Sequence, residues 1–141
     1  MLKLRKVVVR LETALRYELI KAIPELNNQV FPTNAPEKAE KPYLVYIRSG
    51  TSLTKTLEGY TGQEDLSFVF NIMATTYADM SRIRNAVKGL LLVFPKTIIG
   101  NKDRYFVADL SINNMDEEYE HQLGVNRGII DFTIYFKKEN E

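Results

Sequence analysis

His121 is the one histidine of the chain and cysteine is absent, so any imidazole chemistry has to be built around a single ring. It follows Glu118, Tyr119 and Glu120, whose carboxylates could offer oxygen ligands to a cation. Metal sites draw three or four convergent ligands with recognisable spacing. Nothing else in the chain supplies such a spacing, and the stretch reads as a solvated acidic turn. The lack of cysteine also excludes disulfides, thiolate nucleophiles, Fe–S clusters and cysteine zinc sites.

The remaining reactive types are scattered. Ser49, Thr51 and Ser52 around Gly50 offer hydroxyls with no base to activate them. Gly59 and Gly62 do not fall into a phosphate-cradling pattern, whose glycines let backbone N–H groups approach the anion. Asp65, Asp79, Asp103 and Asp109 stand beside expected element ends, where aspartate caps helices and closes turns. Phe68, Phe70, Phe106, Phe132 and Phe136 occupy expected inward positions, which assigns them to a core rather than to base stacking. Tyr60 is the aromatic that packing explains least. No catalytic residue, cofactor site or metal site is expected from these patterns, and none is assigned.

A chain of 141 residues with 45% hydrophobic and 26% charged residues has the composition and size of one globular domain. The formal net charge of +1 lacks the basic excess that phosphate-backbone binding requires, so no specific nucleic acid is expected as a partner. The longest apolar run, Leu90 to Phe94, is far short of the roughly 20 residues that span a bilayer. No membrane partner and no signal peptide are expected, and folding is expected in a cytoplasm. Charge is nonetheless unevenly placed. Lys3, Arg5, Lys6, Arg10 and Arg16 face a lone Glu12 early in the chain, and Asp116, Glu117, Glu118 and Glu120 cluster late. These are either two solvated faces or complementary patches on neighbouring subunits.

The elements that would hold these groups follow from periodicity. Val8, Leu11, Leu15, Leu19 and Ala22 recur at helical steps, predicting a helix from about Lys6 to Ile23 that ends at Pro24. Basic residues near its start oppose the helix dipole, which hints at a purpose other than helix stability. Gln29 to Pro32 suits an edge strand, because proline cannot donate to a ladder. Thr33 to Lys41 reads as a loop, and Tyr43 to Arg48 as a strand. Ser49 to Glu64 is a long hairpin arm or mobile loop, with the flexible part at about 50–64. Leu66 to Thr75 alternates, placing Leu66, Phe68, Phe70, Ile72 and Ala74 on one face. Thr76 and Asp79 form a helix-start signature, and Met80, Ile83, Val87, Leu90, Leu91 and Phe94 form the buried stripe of a second helix, stopped by Pro95. Strands over about Tyr105 to Ile112 and Arg127 to Lys137 are expected to point Phe106, Ala108, Leu110, Ile112, Ile130, Phe132, Ile134 and Phe136 inward. The tail 137–141 is expected to fray.

That order predicts a single α+β domain over residues 1–141, a mainly antiparallel sheet of about four to five strands with two helices on one face. The outward positions Val69, Met73, Ile129 and Tyr135 are more apolar than a wetted face needs, which suits a partner surface or a covering loop.

In this order of elements the chain resembles the small tail-completion, or tail-terminator, proteins of long-tailed bacteriophages and prophages. The resemblance rests on Leu11 to Ile23 followed by Val30-Phe31-Pro32, on Pro42-Tyr43-Leu44-Val45-Tyr46, and on Leu57-Glu58-Gly59. It rests also on Ala74-Thr75-Thr76-Tyr77-Ala78-Asp79 running into a helix, and on the closing strand Ile129 to Phe136. It spans nearly the whole chain, through short structural motifs rather than a catalytic signature. The basic lead Met1 to Lys6 and the acidic stretch Asp116 to Glu120 have no counterpart in the family pattern.

The resemblance implies a non-enzymatic virion structural protein located in the tail after assembly in the host bacterial cytoplasm. It implies a homo-oligomeric ring, typically a hexamer, at the head-proximal end of the tail tube. Such a ring stops tube polymerisation and joins tail to head, with the tail tube protein and a head-completion or connector protein as partners. On that reading Lys3, Arg5, Lys6, Arg10, Tyr60, Asp116, Glu117, Glu118 and Glu120 are candidate subunit or partner contacts. The rival expectations are a small-ligand-binding or enzymatic α+β domain with a pocket between the sheet and segment 50–64, and a nucleic-acid-binding module using the basic start.

Overall fold

The structure is a computed structural model describing the backbone of residues 2–56 and 59–139, with side chains over 11–50 and 64–139. Helix α1 runs Leu2–Ala22, beginning earlier than the periodicity suggested. Its described buried stripe is Leu11, Ala14, Leu15 and Leu19, continued by Ile23. Ala22, expected on that stripe, is exposed, because Ile23 fills the next inward position as the helix ends. Pro24 then opens a single 3-10 turn, Pro24–Leu26, where its missing N–H costs nothing.

Six strands follow: β1 Val30–Pro32, β2 Tyr43–Thr56, β3 Gly59–Ala74, β4 Thr97–Ile99, β5 Tyr105–Glu120 and β6 Val125–Lys138, with helix α2 Tyr77–Val93 between β3 and β4. The sheet order is β1-β2-β3-β6-β5-β4, curled as a half-barrel. Five strands form an antiparallel run, but β1 lies parallel to β2, so the sheet is mixed and larger than expected. β1 is the expected edge strand, whose parallel pairing makes the sheet mixed, and three-residue β4 is the added one. β1 carries Pro32 at its end, and β4 lies just past Pro95, where the chain turns at Lys96 with φ 68°. Neither is long enough to show a period.

Both helices cover one face. Leu11, Leu15, Leu19, Ile83, Val87 and Leu91 share a core with the inner faces of the strands. Leu66, Phe68, Phe70, Ile72, Ile130, Phe132, Ile134 and Phe136 are all at most 1% exposed, as their alternation requires. Phe70 meets Phe132 edge-on at 4.7 Å between centroids, and Phe68 stacks on Phe132 at 5.7 Å. Each buried side chain of this size contributes roughly 1.5–3 kcal/mol, so this aromatic trio anchors the sheet centre.

β5 departs from simple alternation. Val107 pairs with Phe136 and Asp109 with Tyr135, leaving Ala108 as an extra residue. That bulge reverses the phase of the strand before it, so Tyr105 and Val107 are buried at 0% exposure while Phe106 and Ala108 sit half-buried on the other side. Leu110 and Ile112 keep their inward places.

Two tethers fix the helices, one to the end of β4 and one to the turn that follows α1. The Gly100 backbone N–H donates to Glu18 at 3.0 Å. Gly100 has φ +100°, and a Cβ there would overlap the Asp103 carbonyl, so glycine is required. Arg82 on α2 clasps Glu25 through two hydrogen bonds of 3.0 and 2.7 Å. At the chain end, Glu139 is tied to Arg104 by backbone and side chain, while residues 140 and 141 lie outside the described residues.

Candidate functional site

The acidic stretch forms the second half of β5 and not a turn. Asp116, Glu117, Glu118 and Glu120 pair with Ile129, Gly128, Arg127 and Val125 of β6, and the turn proper is residues 121–124. The hairpin extends further than the apolar pattern showed because its last pairs are held by charge. Arg127 sits opposite Glu118, 3.7 Å away, and reaches Glu120 at 2.6 Å. Cross-strand opposite charges stabilise such a ladder by a few tenths to about 1 kcal/mol.

Facing residues of paired strands share a face, so the register sorts these groups. Glu117 stands with Gly128 on the helix-covered inner face, and Asp116 and Glu118 stand with Ile129 and Arg127 on the outer one. On the inner side Arg84 of α2 approaches Glu117 at 3.7 Å and donates to the Asp116 carbonyl at 2.8 Å. Gly128 makes that crossing possible. A Cβ there would lie 3.2 Å from Arg84 Cδ and 2.7 Å from Met80 Sδ. The Tyr77 hydroxyl, at the start of α2, bonds Glu117, and that hydrogen bond raises the phenol above its ordinary range.

Three of the four carboxylates, those of Glu117, Glu118 and Glu120, are therefore met inside the chain by two guanidinium groups, and Asp116 is met at its backbone carbonyl. Arg127 was missed because the stretch was read as a turn; a four-residue turn after Glu120 places it opposite Glu118. Arg84 was not, because its reach depends on the missing side chain of Gly128 in a distant strand. His121 is exposed in the turn, its ring edge-on to Tyr119 at 4.7 Å. Among the described residues no three His, Cys, Asp or Glu side chains come together as a metal-holding group.

The side chains of Lys3, Arg5, Lys6, Arg10 and Tyr60 lie outside the described residues, and so does any pocket walled by segment 51–63. Arg16, the last of the early basic group, holds the chain together locally: its Nε donates to the Val30 carbonyl at 3.1 Å and its Nη2 to that of Asn28 at 3.3 Å. Nearby, burial pushes Glu12 up, with Arg48 opposing, and pushes the Tyr46 phenol up, with Glu12 adding to the rise.

The outer face carries an open cleft of about 380 Å³, lined among others by Asn34, Val45, Met73, Leu123 and Arg127. The 33–35 loop forms one wall, so Val45 and Met73 are buried at 8% and 6% exposure although they face away from the helices. A covering loop thus explains Met73. It does not reach Val69, Ile129 or Tyr135, which remain half-buried on the same face. No described helix is long and apolar enough to cross a membrane.

No family model and no curated protein matches the sequence. Among solved structures, the chain is similar to one from the virion of a native gene transfer agent (GTA) particle, with a TM-score of 0.59 and 13% identity. That similarity covers 88% of this chain and 95% of the other. A second solved protein, described only by an identifier, is similar with a TM-score of 0.54 and 15% identity over 96% of this chain and 94% of its own. At these identities the fold is what is shared.

Proposed function

We propose that the chain is a structural subunit of a phage-type virion and acts as a tail-completion protein. One observation supports this more than any other: the likeness to a chain of a gene transfer agent virion runs nearly end to end in both molecules. The order of elements from α1 to the closing strand β6 adds to it, as the family resemblance expects. In this role the subunits form a ring, of six copies, that caps the head-proximal end of the tail tube and presents a surface to the head connector. The work is association through packed surfaces, with no bond made or broken.

The acidic hairpin end suits recognition better than acid–base chemistry. Glu117, Glu118 and Glu120 are paired with arginines at the surface, an arrangement that fixes orientation and encounter rate more than affinity. Electron microscopy of the purified protein, alone and with tail tubes, tests the proposal. Rings seated on one tube end, with tubes of limited length, are expected. A two-fold dimer as the sole assembly in the presence of tubes would overturn it.

A further inference from the structure

Among the described residues no helix lies on the sheet face turned away from α1 and α2, and the register gathers two kinds of residue there. Val69 of β3 stands opposite Ile47 of β2 and diagonal to Ile129 of β6, while Tyr135 lies farther along β6 beyond Asp131 and Thr133; Asp131 and Asp116 stand opposite Val69 and Ile129 in the pairing, with Asp109 opposite Tyr135. Among the described residues Asp109, Asp116 and Asp131 have no ion-pair partner, whereas Glu118 and Glu120 share Arg127. The face thus sets a small apolar cluster beside a surplus of negative charge.

A segment of opposite character exists in the same sequence. Residues 2–10 of α1 carry Lys3, Arg5, Lys6 and Arg10, no carboxylate, and the apolar Leu2, Leu4, Val7, Val8 and Val9. They are continuous with the half of the helix whose Leu11, Ala14, Leu15 and Leu19 are buried on the inner face. At 1.5 Å per residue this segment is about 13 Å long, and an unbroken helix fixed to one side of a sheet cannot turn round to the other. Its own outer face is out of reach.

We infer that the outer face of β3, β6 and β5 seats the basic first half of α1 from a second copy of this chain. The two surfaces are unlike, so the contact is heterologous and closes into a ring or continues as a filament according to its rotation. Val69, Ile129 and Tyr135 supply most of the affinity, and Asp109, Asp116 and Asp131 select the basic helix and its register. The same negative charge disfavours nucleic acid on this face. The inference rests on the reading of the chain as a ring subunit, and its test separates the two.

Because the chain has no cysteine, single cysteines report the contact directly. Protein carrying Val7→Cys, Val8→Cys or Val9→Cys is mixed with protein carrying Val69→Cys, or Ile129→Cys as a second sheet position, under mild oxidation. A disulfide needs Cα atoms within about 7 Å. At least one helix-to-sheet heterodimer is expected in roughly tenfold excess over either homodimer. Adding Asp116→Lys and Asp131→Lys should remove it, and Lys3→Glu with Lys6→Glu on the helix partner should restore it, with circular dichroism confirming folded chains. Sheet cysteines that pair only with each other, or no cross-link in any combination, would overturn the inference. Rings seen by microscopy without the helix-to-sheet cross-link would overturn this contact and leave the ring reading standing. The cross-link in assemblies that never close would support the contact and count against the ring.

Discussion

The Arg84 guanidinium donates a 2.8 Å hydrogen bond to the Asp116 backbone carbonyl, tying the middle of α2 to the far end of β5. The side chain can lie flat there because β6 presents Gly128 beneath it. One absent side chain therefore sets the distance between helix and sheet, and with it the position of the acidic hairpin end.

Gly128→Ala should be destabilising out of proportion to one methyl group. The new Cβ would stand 2.7 Å from Met80 Sδ and 3.1 Å from Met80 Cγ, and Met80 is 1% exposed, with little room to move. Overpacking of this kind costs about 1–3 kcal/mol. Urea unfolding should show the loss, and Met80→Ala in the same chain should make the Gly128→Ala change nearly neutral, as contacting pairs are non-additive. Equal losses with and without Met80 would mean that α2 is not seated on Gly128.

Thr76→Ala should cost about 1 kcal/mol. Its Oγ1 accepts the Asp79 backbone N–H at 3.1 Å as the cap of α2, and alanine leaves that donor to water. Thr76→Ser should retain most of the stability, since it keeps the oxygen. A thermal unfolding series on the three proteins decides this.

Much of this architecture was legible because the core strands and α2 follow their periods cleanly. Phe68, Phe70 and Ile72 alternate without interruption, and Thr76 announces the helix that Pro95 ends. The misreadings cluster where a local rule gives way. Ala108 is an inserted residue that no composition marks, so the inward assignment of Phe106 failed while that of Leu110 held. Thr97–Ile99 is too short for a pattern and becomes a strand only by pairing with β5. The acidic residues looked like a turn because carboxylates are poor strand formers, and only Arg127 and Arg84 make their extended pairing acceptable. The expected partner contacts of Lys3, Arg5, Lys6, Arg10 and Tyr60 fall on side chains outside the described residues.

Acid should weaken the clasp between α2 and the 3-10 turn that follows α1. The Arg82 hydrogen bonds hold the Glu25 carboxyl below its ordinary 4.5. A depressed carboxyl contributes stability that is present above its unfolded value and is lost as pH falls through the folded one. Stability should therefore be flat in this respect above about pH 5 and decline below about pH 4. Arg82→Gln should flatten that part of the profile, modestly, because the pair is exposed and screened by salt. An unchanged slope between pH 5 and pH 3 in the variant would show that the clasp carries no linkage.

His121→Ala should leave ring formation and tail joining unchanged. The imidazole is exposed and its described contact is the edge of Tyr119, so its loss removes no core packing. Abolished joining by a folded His121→Ala protein would reopen a metal or proton-transfer role at the hairpin turn.

The last expectation concerns the β2–β3 arm, and it follows from the register. β3 pairs with β6 only from Glu64, opposite Phe136, onward. Beyond it towards the arm tip the described pairs, Lys55 with Tyr60 and Thr56 with Gly59, join β2 to β3 alone. A two-stranded ribbon is marginally stable in water, and threonines and glycines give it little apolar area to offset the entropy of ordering. Amides of residues 51–56 and 59–63 should therefore exchange fast in the free subunit, while those of Leu66 to Ile72 exchange slowly. In the assembly, a neighbouring copy or the tail tube should add contacts to the arm, slowing its exchange by about tenfold or more, which corresponds to about 1.4 kcal/mol of added local stability. Protection that is the same in the free chain and in the ring would remove the arm from the subunit interface. Slow exchange already in the free chain would mean that the ribbon is anchored within its own subunit.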